Sequence, residues 1–151
     1  MQLLTQVGDN CLVYAAAMIL DENPDTLIEE IGHDGQEIWW PERTGVTRKR
    51  GIHIQEIIDC VHARGKALMP IDLFPCCAPD IDAEPKEIWD RGHCMSRFKN
   101  MIAFRRGILI GLSESGAGHA CAWDGQTVFD PRGFTCKLED FTIRECWILL
   151  F

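Results

Sequence analysis

The run "CLVYAAAMIL", Cys11 to Leu20, is apolar on nearly every side, the pattern of a helix buried at the centre of a fold rather than lying on its surface. Asp9 and Asn10 precede it as candidate caps. "NPDTLIEEIG" predicts a short second helix, with Pro24 in its first turn, acidic residues early and Gly32 as terminator. "HIQEIIDCVHARG" predicts a third, with Ile54, Ile57, Ile58 and Val61 at helical spacing and Gly65 closing it. "KALMPIDL" has strand character, and "CCAPDIDAEP" has the composition of a loop. "KEIWDRGHCMSRFKNMIAFRRG" predicts a partly helical segment broken at Gly92. Three short strand-like runs follow, "GILIGLS", "HACAW" and "TVFD", and "ECWILLF" predicts a last buried strand. Helical patterns thus occupy the first two thirds and strand patterns the last third. That segregation predicts an α+β fold, a central helix packed on an antiparallel sheet, in a single domain spanning 1–151.

Asp124-Gly125, between two strand-like runs, is a strong hairpin signal. If these two residues form the turn, Trp123 faces Gln126, Cys121 faces Val128 and His119 faces Asp130. Directly opposed side chains have Cβ atoms about 4.5–5.5 Å apart, so an imidazole and a carboxylate would meet. A turn one residue longer would set Ala120 opposite Asp130 and separate them.

Composition narrows the partners. The formal charge is −8 and the pI is near 5.0, a balance that repels nucleic-acid phosphates and anionic membranes, so neither is an expected partner. No stretch approaches the roughly 20 apolar residues of a membrane span. "MQLLTQVGDN" has no basic region leading into a long apolar one, so neither a signal peptide nor an inhibitory pro-segment is expected. With no export signal, the eight cysteines point to a reducing, cytoplasmic setting rather than a disulfide framework. No Cys-x-x-Cys occurs. His93-Cys94 and Cys76-Cys77 lack the usual ligand spacing, so no metal and no cofactor are expected. A compact chain of this kind would suit a phage or bacterial accessory protein.

Cys11 opens the buried helix, where free backbone N–H groups and the helix dipole favour a thiolate and a neighbouring imidazolium would lower its pKa further. Alone, such a cysteine is more often an inert buried thiol. With His119 as base and Asp130 to orient it, the set has the logic of covalent acyl transfer, and Gln6 could offer an N–H to an oxyanion. "QVGDNCLVYAAAMIL" and "GHACAWDGQTVFDPRG", with "ECWILLF" at the end, resemble papain-like cysteine peptidases, most closely the small relatives of the bacteriocin-processing (double-glycine) branch. The likeness touches both ends of the chain and leaves Asp21 to Arg106 unmatched. It implies a papain-like fold and a cysteine peptidase acting on a protein or peptide substrate. Cys11 would be the nucleophile, His119 the general base, Asp130 the residue holding its tautomer, and Gln6 the oxyanion donor. Two departures stand out: one residue fewer between Gln6 and Cys11, and Leu12 where the family often has glycine.

Trp40, in "WWP", and Gly118, at the end of a flexible lip running from Ser113 to His119, are candidate substrate contacts. His53 is expected to cap a helix, and His33 and His62 to be ordinary surface residues. Two rivals to the peptidase reading remain: a binding module that keeps the fold without turnover, acting as an effector or inhibitor, and a metal-binding protein using the surplus Cys and His.

Overall fold

Helix α1 spans Cys11–Leu20, with Val13 through Ile19 all buried, as its unbroken apolar character requires. Its cap differs from expectation. Asn10 stands at the N-cap without capping, because its Oδ1 accepts from Gln36 Nε2 at 3.1 Å. In this computed structural model, residues 1–39, 48–72, 91–113 and 118–151 are described. Helix α2, Pro24–Ile31, starts where Asn23 Oδ1 takes the Asp25 N–H at 2.9 Å and ends at Gly32, whose φ of 86° terminates it in the left-handed region. Helix α3, Ile54–Ala63, has His53 at its N-cap, and Glu56 reaches back to the His53 N–H at 2.9 Å. Arg64 ties the three helices together: it forks onto Glu22 at 2.6 and 2.7 Å, reaches Glu30 at 3.2 Å and donates to the Cys60 carbonyl at 2.6 Å.

A two-residue pair, β1 (Ile38–Trp39) with β2 (Arg48–Lys49), stands apart from the main sheet. The main sheet holds β3 (Ala67–Ile71), β4 (Gly107–Leu112), β5 (Gly118–Trp123), β6 (Val128–Asp130), β7 (Phe134–Cys136) and β8 (Thr142–Leu150), in the order β3-β8-β4-β5-β6-β7. Every neighbouring pair is antiparallel. The fold is therefore α+β, as expected.

Alternation along the strands divides the interior in two. Ile108, Ala120 and Ala122 face α1, α2 and α3. The alanines of α1 lie against those of β5, so helix and strand approach closely. Leu109, Cys121, Trp123, Val128 and Ile148 face the other way, onto Phe98, Ile102 and Leu138. Phe98 and Ile102 come from α4, Arg91–Ile102, which covers the second face. The expected break at Gly92 is absent. Glycine costs about 1 kcal/mol in a helix interior, but Gly92 lies in the first turn, ahead of the residues that anchor α4 to the sheet.

Between β4 and β8 the ladder is pinched. Ile110 pairs with Glu145 but Gly111 pairs with Ile143, so Arg144 is an extra residue in β8. A Cβ on Gly111 would overlap the Thr142 carbonyl oxygen, which explains the glycine. Past this bulge, Trp147 and Leu149 pack toward the α1 core while Ile143, Cys146 and Ile148 pack toward α4.

Candidate functional site

The hairpin that carries His119 and Asp130 forms, with its turn one residue further on than expected. Asp124 occupies the first corner position, its N–H donating to Thr127 O at 3.3 Å. Its carboxylate accepts the N–H groups of Gln126 at 2.8 Å and Thr127 at 2.7 Å. Gly125, with φ of 105°, and Gln126 are thus the central residues. Moving the centre by one residue moves the register by two, so Trp123 pairs with Val128 and Ala122 with Phe129. The expected direct pairing of His119 with Asp130 does not occur. A shift of two keeps every side chain on its face, however, so the pair meets on the diagonal.

That contact is a hydrogen bond of 2.9 Å between His119 Nε2 and Asp130 Oδ1, with the imidazole 6% and the aspartate 1% exposed. A carboxylate accepts, so Nε2 carries the proton and Nδ1 holds the ring's lone pair. The Phe141 ring lies edge-on to the imidazole, centroids 6.4 Å apart.

Arg132 was not singled out by the sequence. Its backbone N–H donates to Asp130 Oδ1 at 2.8 Å, and its guanidinium spans both oxygens, with Nε at 3.1 Å from Oδ1 and Nη2 at 2.8 Å from Oδ2. Burial alone would raise the Asp130 pKa. The bonds from Arg132 and His119 outweigh it and hold the carboxyl below its ordinary range. The only sequence signal was the Asp-Pro-Arg-Gly turn, closed by Gly133 N–H onto Asp130 O at 2.9 Å.

Cys11 is the first residue of α1, and the backbone amides of Ala120 and Leu12 lie near enough to its sulfur to favour the thiolate. The Asp124 bond shows that the N–H groups of even-numbered residues in β5 point toward β6. Ala120 lies beyond the last β5–β6 pair, Ala122 with Phe129, and its N–H is one of the amides near the sulfur. The thiolate-favouring effect expected of the helix start does not prevail. Burial pushes the thiol above its ordinary value despite these amides, and the Asp130 charge adds to the rise.

Cys11 and His119 line one open cavity of about 270 Å³. No hydrogen bond joins sulfur and ring among the described residues. Leu12, Ile52, Ile54 and Ile110 supply apolar wall, and Gly118, exposed at the start of β5, lies at the same cavity. His53 reaches it too, in addition to its place at the helix cap. The isoleucine walls and Glu145 were not foreseen, since only the fold brings these strands and the α3 cap to Cys11.

Gln6 is not among the cavity residues. Its Nε2 donates to Gly8 O at 2.8 Å, its Oε1 is buried without a partner, and its backbone N–H bonds Pro131 O at 2.6 Å. Trp40, the lip residues 114–117, Cys76 and Cys77, and the side chains of His93 and Cys94 lie outside the described residues. His33 differs from the surface histidine expected: it is half-buried, bonded to Glu56 at 2.7 Å and to the Gly35 N–H at 3.1 Å.

Cys11, Cys60, Cys121 and Cys136 are free thiols. One of them, Cys121, joins His119 and Asp130 in a group whose ligand atoms lie within 4.8 Å of one another, close enough to hold a metal ion. Its thiol is driven far up by burial and by Asp130, and a metal would have to displace the Arg132 guanidinium from the carboxylate. Among the described residues no helix is long and apolar enough to cross a membrane. Comparison with known proteins gives no match: no family model, curated protein or solved structure matches this chain.

Proposed function

We propose that the chain is a papain-like cysteine peptidase, opening a peptide or isopeptide bond through an acyl-enzyme on Cys11. The observation that supports this most is the shared cavity. Cys11, at the start of a buried helix, and His119, whose imidazole Nε2–H is committed to a carboxylate, both line it.

In this reading the resting thiol keeps its proton, as its raised pKa requires. When substrate enters, Nδ1 of His119 takes that proton and the sulfur attacks the scissile carbonyl. Amides at the α1 N-terminus stabilise the oxyanion, because Gln6 does not line the cavity. The imidazolium then gives its proton to the leaving amine. Water resolves the thioester, with His119 again acting as base. Asp130 holds the ring in the tautomer this sequence needs.

Alkylation with iodoacetamide, mapped by mass spectrometry, tests the assignment. Modification of Cys11 is expected to be slow at neutral pH and to accelerate as pH rises past about 8.5, the ordinary thiol value. Preferential labelling of a different cysteine, with Cys11 untouched, would refute it. A second reading is favoured by the raised thiol and the occupied Gln6 amide: a peptidase-fold binding module without turnover. Full biological effect in Cys11→Ala would establish that reading instead.

A further inference from the structure

Glu145, Ile110 and Ala120 form a row across three adjacent strands. Ile110 pairs with Glu145 on one side and with Ala120 on the other. At the usual spacing between strands the row is about 10 Å long. One end is Ala120, whose amide lies near the Cys11 sulfur, and the other is a carboxylate. All three residues line the same cavity. Between the ends the wall is aliphatic, supplied by Leu12, Ile52 and Ile110. Glu145 Oε2 accepts the Trp147 indole N–H at 3.0 Å, which orients the carboxylate. Among the described residues nothing bonds Oε1. Among the described residues the cavity wall contains no lysine or arginine, and its other polar side chains are those of His53, Gln55 and His119.

From this we infer that the cavity takes a basic side chain, and that the substrate of Cys11 is a peptide with arginine or lysine beside the bond to be opened. The inference rests on the hydrolase reading of the same cavity. The methylene stem of such a residue fits an aliphatic wall, and its cationic head, carried one side-chain length from the sulfur, meets the Glu145 carboxylate. An acidic side chain would place two carboxylates together. The chain's charge of −8 draws the same class of substrate from solution.

The test does not require turnover. The intact protein is treated in parallel with a cationic and an anionic methanethiosulfonate reagent, trimethylammonioethyl and sulfonatoethyl, and disulfide formation at Cys11 is followed by mass spectrometry. Each rate is divided by that of the same reagent with a small free thiol, so intrinsic reactivity and the thiolate fraction both cancel in the ratio. The cationic reagent is expected to react roughly tenfold faster. Glu145→Gln should reduce that ratio severalfold, and Glu145→Lys should bring it to unity or below. Equal rates in the native protein, or a ratio indifferent to both variants, would overturn the inference.

Protection provides a second arm. A short blocked arginine peptide should shield Cys11 from iodoacetamide better than its glutamate counterpart, and equal shielding would overturn the basic-residue assignment. Arginine-selective shielding with no cleavage of any peptide would instead support the subsite and refute the hydrolase reading, so the two failures are distinguishable.

Discussion

The described residues contain two imidazole–carboxylate pairs of nearly equal length, His33 with Glu56 at 2.7 Å and His119 with Asp130 at 2.9 Å. At His33 both ring nitrogens are bonded: Nε2 faces Glu56, and Nδ1 accepts the Gly35 N–H. Glu56 is engaged as well, since it also takes the His53 N–H at the start of α3. The whole arrangement fastens a loop to a helix end. At His119 the carboxylate takes several bonds while, among the described residues, only one ring nitrogen is bonded, and this histidine is a residue of the Cys11 cavity wall. A histidine bonded to an acid is therefore not a site by itself. The difference lies in whether one ring nitrogen is left over, and in what shares its cavity.

The sharpest way to break this contrast is to remove each imidazole. His119→Ala is expected to lower kcat/KM on a cleaved peptide on the order of 10⁴-fold. His33→Ala should leave kcat/KM unchanged while lowering stability by about 1 kcal/mol in denaturant unfolding. Comparable losses of activity from both would mean that the two pairs are not functionally distinct.

Next in size are the acids. Asp130→Ala leaves a guanidinium and an imidazole facing an empty buried position, so unfolding should show a loss of roughly 3–5 kcal/mol. Glu56→Ala, which removes a more exposed cap, should cost about 1 kcal/mol. The reverse ranking would show that the His119 side is only loosely held.

Acid denaturation separates the pairs more finely. Both carboxyls have depressed folded pKa values, because hydrogen bonds overcome the burial that would raise them. Between the folded and the unfolded value, the unfolded chain binds more protons. Each acid therefore contributes stability that is full above about pH 4, the unfolded value, and is lost as pH falls through the folded one. Because the Asp130 side chain is 2% exposed and that of Glu56 27%, Asp130→Asn should flatten the acid slope more than Glu56→Gln does. Equal flattening in thermal melts across that range would put both carboxyls in equivalent surroundings.

How far the sequence could disclose this depends on the range of the forces involved. Helices α1, α2 and α3 were legible because caps, glycines and periodicity are local. The partnership of His119 with Asp130 was legible as well, while its register was not. Asp124 carries the turn with its own carboxylate and moves the centre by one residue, and either choice fits the dipeptide Asp-Gly. Strand β7 escaped notice because three residues, two of them exposed, leave little pattern. The sign of the Cys11 shift was misjudged for a different reason. The helix start is visible in sequence, whereas burial, which prevails, depends on what the rest of the chain places over the sulfur. Glu145 became meaningful only through its pairing across the sheet, whereas Arg132 reaches Asp130 within a single turn whose direction the sequence does not display.

The glycine at position 111 has a consequence for recognition. With no room there for even a methyl group, β4 and β8 are locked together by main chain, and the acidic corner of the cavity inherits that rigidity. In the proposed subsite this fixes where Glu145 is rooted, so a guest side chain too short to span the row would gain little from its charge.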